Sequence, residues 1–560
     1  MKKFLLVFFS VLLLLPFKGY AEQQLSQVTP WLSIGGDYQA RLDYLQGSTP
    51  GYFPFGGQPG TAGAQNGALF DAFLTALPAF HLTFPQVQAM TPAQVNGMLQ
   101  QFQGMPTAML EAMGLTAAQA AAAHNGAASL PGQDYRNTTL LTNRFGLNLV
   151  AKPLESISVK ARLAMYKVWG SDSANPVDQN MFFMDRAGTF DGEMGHVPSS
   201  DYVNVDYAYA TWSNIADQPV WFSVGRRPST SGVPGNLRRN AVNVGTAGVP
   251  NFLIDYAFDG FSLGWAPYIE ALPGFYAKFC GGRGFDSGYS KLHDTNFVGV
   301  FVVPYNTDQL EVTLQWDRAI DLFDAPPDFS VPTTQTSGVQ EFLNPTTNVG
   351  NIDWFGGVGQ GKVRNINYFL AGAISHAMPN GNRAGAFAPF IKQSLGYTDP
   401  NTGFPEPDSN LTATQLANVK DLEPQLFDGQ DHYGWALYLG ARYDIDSTRT
   451  KLGAEYNHGS KDWITVVPAG DDMWTSKLGT RGDVYELYAI QELHNKVIDK
   501  VGLAYFRLGW QYYDIKYTGS NNWLGAPVAM NDLLNSPLNA QMFAPIKNAQ
   551  DVYLTFNVDF

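Results

Sequence analysis

Between residues 31 and 45 apolar and polar side chains change places almost residue by residue. Leu32, Ile34, Tyr38, Ala40, Leu42 and Tyr44 share one parity, and Ser33, Asp37, Gln39, Arg41 and Asp43 share the other. A period of two marks a strand with one apolar and one polar face. The pattern recurs with Phe145, Leu147, Leu149 and Ala151 against Arg144, Gly146 and Asn148. After a turn at 152–156 it returns with Ile157, Val159, Ala161, Leu163 and Met165 against Ser158, Lys160, Arg162 and Tyr166. Further candidate strands lie at 202–212, 220–226, 252–265, 275–282, 296–304 and 309–317. The set closes with 363–376, 384–395, 432–443, 451–458, 483–491, 501–513 and 551–560. Asp259-Gly260 interrupts one alternation, as a bulge would. The count is about 16, an even number as in bacterial transmembrane barrels.

The connections carry a second signal. Short ones at 152–156, 305–308 and 444–449 alternate with long ones at 170–201, 227–251, 318–351, 396–431, 459–482 and 519–550. Transmembrane barrels pair short periplasmic turns with long extracellular loops, whereas a soluble sandwich has no reason to keep that asymmetry. The expected fold is therefore all-β: an antiparallel transmembrane barrel with both mature termini periplasmic.

Composition agrees. In 560 residues only 15% are charged and 14% are aromatic, and mean hydropathy is −0.15. That suits a lipid face with aromatic girdles and excludes a bundle of apolar helices. Lys2 and Lys3, an apolar run from Phe4 to Leu15, and the small residues before Glu22 read as a cleaved signal peptide over 1–21. Residues 22–560 would then form the barrel. Loss of Lys2, Lys3 and Lys18 takes the formal charge from −14 to −17, which argues against a nucleic-acid partner. The single cysteine, Cys280, excludes a disulfide framework, and no C-x-x-C-H motif is present to attach a c-type haem.

The segment 46–136, in the first long loop, differs from the rest. It starts rich in Gly and Pro, then becomes rich in Ala, Gln and Met. Helices are expected after Thr91-Pro92 and over 106–113 and 116–124. Without an evident dense core, this insert is expected to pack on the barrel mouth as a cap, a plug or a contact surface.

The stretches "NRFGLNLVAKP", "ARLAMYKVWGSDS", "GRRPSTSGVPGNLRRN", "FDGFSLGW" and "EYNHGSKDW" resemble a proteobacterial outer-membrane family known only as a domain of unknown function. They are scattered over about 137–463. The resemblance implies a porin-like barrel and supplies no solute and no functional residues.

Parity sends charged groups of both signs toward the lumen: Asp37, Arg41, Arg144, Lys160, Arg162, Glu311, Arg442 and Glu455, with Asp43, Asp206, Lys278 and Lys451. A lipid-facing Arg or Lys near the bilayer midplane would cost about 2–4 kcal/mol. A water-filled channel and a salt-bridged, closed lumen would both show this set. Arg226, Arg227, Arg238 and Arg239 form a basic cluster in a compact loop. Folded inward it would make an anion-attracting constriction; outside, it would meet lipopolysaccharide phosphates. The acidic loop residues Asp317, Asp321, Asp324 and Asp328 lack a calcium-loop motif. His458-Gly459-Ser460 is the one hint of hydrolase chemistry, without an orienting carboxylate evident in the sequence.

The expectation is thus a non-enzymatic outer-membrane porin passing small hydrophilic solutes by passive diffusion, with no cofactor. Its partners would be lipid, lipopolysaccharide and the barrel assembly machinery, with a homo-oligomer compatible. The alternative is a barrel scaffold or sheath for a partner such as a multihaem cytochrome.

Overall fold

The structure is a computed structural model describing residues 26–56, 60–170, 197–198, 201–228, 232–240, 252–286, 294–307, 309–324, 347–467, 470–493 and 502–560. The signal-peptide segment, residue 308 and Asp328 lie outside the described residues.

Sixteen strands follow one another around a closed antiparallel sheet. They are β2 (Leu32–Ser48), β3 (Asp134–Leu154), β4 (Ile157–Val168), β5 (Asn204–Trp212), β6 (Val220–Pro228), β7 (Ala257–Trp265), β8 (Tyr276–Phe285) and β9 (Thr295–Asn306). The second half comprises β10 (Leu310–Phe323), β11 (Asn348–Val363), β12 (Ile366–Pro379), β13 (His432–Ile445), β14 (Thr450–Gly459), β15 (Gly482–Glu492), β16 (Leu503–Ile515) and β17 (Asn548–Asp559). Each strand pairs with the next, and β17 returns to β2, from Asn548 opposite Ser48 to Asp559 opposite Asp37. A short strand β1 (Ser26–Thr29) extends the ladder on β2 beyond that seam. Phe560 and Gly36 exchange backbone hydrogen bonds at 2.6 and 2.9 Å. Closure leaves no long unpaired edge, which lipid requires.

The outward positions carry Leu42, Val224, Leu263, Val300, Leu314, Leu370, Leu439, Leu452, Leu487, Leu508 and Leu554, all exposed. No monomer in water tolerates an apolar belt of that extent, so this face meets lipid. Trp212, Trp265, Tyr305 and Tyr443 ring the short-turn rim, while Tyr44, Tyr433, Trp435 and Tyr485 lie toward the other.

Three expectations need correction, although the count of 16 survives. Residues 384–395 form no strand; they make a 3-10 turn (Gly385–Phe387) and a helix (Ala388–Ser394) within a long loop. Their Ala- and Phe-rich composition serves a buried helix as well as a strand, and Phe387 and Ile391 are buried. In compensation, Asn348–Val363 is a full strand with five glycines, whose missing side chains blur the alternation. Finally, the β6–β7 and β7–β8 registers run unbroken through Asp259 and Gly260. A bulge falls instead on β5, where Arg162 opposes Tyr207 and Leu163 opposes Val205, so Asp206 is the extra residue.

The insert corrects a fourth expectation. It folds as five short helices, α1 (Ala62–Ala76), α2 (Phe84–Gln88), α3 (Pro92–Gln103), α4 (Thr107–Ala112) and α5 (Ala117–Asn125). These enclose their own apolar core of Leu69, Phe73, Leu77, Phe84, Val95, Leu99, Phe102 and Leu110. Thr91 and Thr116 close capping boxes with Gln94 and Gln119, which is why α3 and α5 start where the sequence places them. Asp71 joins this unit to a neighbouring long loop. It is buried, and it accepts hydrogen bonds from Tyr397, from Asn418 at 3.0 Å and from Gln119 at 2.8 Å.

Candidate functional site: the occupied lumen

Inward parity holds Asp37, Arg41, Asp43, Arg144, Lys160, Arg162, Lys278, Glu311, Arg442, Lys451 and Glu455 on the lumen side of the wall. On β5 the bulge turns both Asp206 and Tyr207 inward. Asp206 meets Arg162 at 3.1 Å, and the Tyr207 hydroxyl donates to Asn148 at 3.3 Å.

Two long connections fold into this space. Residues 232–240, between β6 and β7, lie against β13 to β17. The Leu237 carbonyl accepts from Arg442 at 2.8 Å, the Arg238 carbonyl from Arg507 at 2.7 Å, and the Arg239 carbonyl from the Tyr505 hydroxyl at 2.9 Å. Residues 460–467 and 470–481, between β14 and β15, meet the β6–β7 connection in the interior: Ile254 and Val466 form a parallel bridge, and Thr465 donates to the carbonyls of Phe252 and Leu253. Around them Phe252 stacks on Trp463 (5.8 Å between centroids) and on Tyr438 (6.1 Å), and Phe369 packs on Tyr438 at 4.6 Å. Trp354, Trp463 and Trp523 are at most 1% exposed, and each indole N–H donates to a backbone carbonyl. A barrel interior so filled is packed as a soluble core is.

An ionic network locks the second loop in place. Asp471 meets Arg507 at 3.2 Å and Arg144 at 3.3 Å. Arg238 lies between Asp472 (2.9 Å) and Glu486 (3.1 Å), and Lys477 reaches both Glu486 (2.5 Å) and Glu455. Arg41 joins Asp43 and Asp551 at 2.6 and 2.8 Å. Burial pushes the Asp471 carboxyl up, but Arg144, Arg507, Arg41 and Arg238 outweigh it and hold it well below the ordinary carboxylate range. Burial likewise works against the Arg238 charge, and Asp472 and Glu486 more than restore it.

The basic cluster therefore divides. Arg238 and Arg239 are inside, but Arg238 is neutralised by two carboxylates. Arg227 is on the inward face, stacked near Tyr209 and Trp221 at 5.0 and 5.7 Å. Arg226 corrects the expectation outright: it opposes Ala208 and Asp259 on the outer face and lies 3.6 Å from the Asp259 carboxylate. Strand β6 continues through both arginines, so alternation separates them. A four-arginine constriction is not formed.

The network residues in the 460–481 loop were missed by parity, which addresses strands alone. The signal was present: Trp463-Ile464-Thr465-Val466-Val467 is too apolar for a loop in water. At His458 the structure supplies a carboxylate, with Asp483 at 2.8 Å, on the outer face. The Ser460 hydroxyl instead accepts from the Trp435 amide at 2.9 Å, and no Ser460–His458 hydrogen bond occurs among the described residues. Nor do the described residues contain a cluster of metal-ligating side chains.

Comparison with known proteins places the chain. Residues 134–560 match the family described as protein of unknown function (DUF3373). The chain belongs to this family. The match takes in β3 to β17 and leaves the helices of the insert outside. No curated protein sequence matches this DUF3373 chain. Among solved structures it is similar to an anion-selective porin from Comamonas acidovorans (8% identity, TM-score 0.39, covering 94% of this chain and 99% of that one). It is also similar to Salmonella typhi OmpF in complex with daunomycin (7%, 0.36, 94% and 97%) and to OmpT of Vibrio cholerae in its trimer form (10%, 0.35, 75% and 92%).

Proposed function

We propose that this DUF3373 barrel is an outer-membrane porin with a constricted lumen, passing small hydrophilic solutes by diffusion beside its own folded-in loops. The observation that supports this reading is the asymmetry of the interior. Charges on β15 to β17 and the middle of β2 are dry: Glu486 and Arg507 are 1% exposed and Asp551 is not exposed at all. Charges of β2 to β4 nearer the short-turn rim keep contact with solvent, with the Asp37 and Arg144 side chains each 21% exposed and Arg162 12%. Tyr207, Tyr209 and Arg227 continue that half-buried wall. A route along it would carry charges of both signs and would be narrow, so size selection dominates over charge selection. The sheath alternative fits less well, because a partner inside the barrel would need the volume that 232–240, 252–256, 460–467 and 470–481 fill.

Planar-bilayer recording tests this. Wild-type protein should give small, steady conductance steps, and replacing 462–479 by a short Gly-Ser linker should raise them several-fold. If a correctly folded, heat-modifiable preparation conducts nothing, the porin reading fails and a scaffold presenting its mouth to a partner replaces it.

A further inference from the structure

Beside the plugged region, the lumen wall of β6 to β10 encloses a cavity of about 50 Å³ lined by Arg227, Ser262, Lys278, Cys280, Gln315 and Asp317. At 10–15 Å³ of probe-occupied volume per water, that is room for roughly four waters or one small organic ion. Two cations and one carboxylate line it, so a monovalent anion would balance their charge.

Four features make it a built site. Gly299 opposes both Cys280 and Asp317, and a Cβ there would come within 2.3 Å of the Asp317 carboxylate, so the glycine makes room for that group. Gln315 donates to Asp317 at 2.5 Å and so occupies one of its carboxylate oxygens. Arg227 is held over Tyr209 and Trp221, yet one of its terminal guanidinium nitrogens is buried without a hydrogen-bond partner among the described residues, as is the Gln315 carbonyl oxygen. Lys278 is 7% exposed and sits 4.6 Å from the Phe301 ring centroid.

We infer that this cavity binds a small monocarboxylate anion, with the Arg227 guanidinium facing the carboxylate and Lys278 adding the second positive charge. A guanidinium presents paired N–H donors matched to a carboxylate, which selects that class over a spherical halide. The site borders the loop plug at Ile254, but its occupancy does not depend on solute crossing the barrel.

Cys280 reports on it directly, being the chain's only cysteine and 3.1 Å from the Ser262 hydroxyl. The folded wild-type barrel in detergent is treated with methanethiosulfonate reagents of equal size and opposite charge. The anionic reagent should label Cys280 about tenfold faster, since an electropositive cleft concentrates anions by at least that factor. Sodium acetate should slow labelling several-fold more than sodium chloride at equal ionic strength. R227Q and K278Q, each checked for heat-modifiable folding, should bring the two reagents to similar rates and remove the acetate effect. Equal rates in wild type, no labelling of the folded barrel, or equal protection by acetate and chloride would each overturn the assignment. Because labelling needs no conduction, failure here is distinct from failure of the porin reading.

Discussion

Asp471 shows how one side chain holds a loop inside a barrel. Its carboxylate is buried and meets two guanidiniums, at 3.2 and 3.3 Å. A depressed folded-state pKa contributes stability above the unfolded value near 3.9, and the contribution is lost as pH falls through the lower folded value. Between pH 7 and 5 the contact should therefore persist. Hydrogen exchange over 470–481, corrected for intrinsic rate, should show unchanged protection across that interval. Asp471→Asn should lose protection already at pH 7, because it leaves the buried Arg507 and the half-buried Arg144 each with a partner fewer, a change of about 3–5 kcal/mol for the buried group. Release of wild-type 470–481 by pH 5 would contradict this account. None of this was readable from Asp471 in the sequence, where it stands in a loop whose depth no periodicity reports.

At the scale of elements, the insert behaves as a unit with its own interior. Phe102 is fully buried and packs edge-on against Phe73 at 5.7 Å. Phe102→Ala should cost about 3–5 kcal/mol, borne by the insert alone. Limited proteolysis should then cut within 84–125 while the barrel keeps its heat-modifiable mobility. Simultaneous loss of the barrel would show that the insert is part of its folding core. Three of the five helices were legible through Thr and Pro signals at their starts. Helix α1 was not, because Gly63, Gly67 and alanines give it little amphipathic contrast and it is buried on most sides. The exchange of strand 348–363 for segment 384–395 has the mirror-image cause: glycines hid a true strand, and a buried helix imitated one.

For the whole molecule, the decisive property is which rim faces which compartment. All turns at one rim are short and the insert is at the other, so the loop rim is expected outside the cell. An epitope at Asp408 should be labelled on intact cells, and one at Asp446 only after permeabilisation. The opposite pattern would invert the barrel. The same asymmetry links topology to the proposed function, because the loops that plug the lumen enter it from the long-loop rim.

The barrel, its closure and the inward set of charges were determined by the sequence, since a period of two is a local property and lipid disfavours charge on the outer face near the bilayer midplane. Tertiary structure decided the rest. Whether Arg238 lines a channel or neutralises Asp472 and Glu486 depends on where 232–240 folds. Loop paths are set by contacts between residues 200 or more apart, such as Arg442 with Leu237 and Arg507 with Arg238, and no local pattern encodes those.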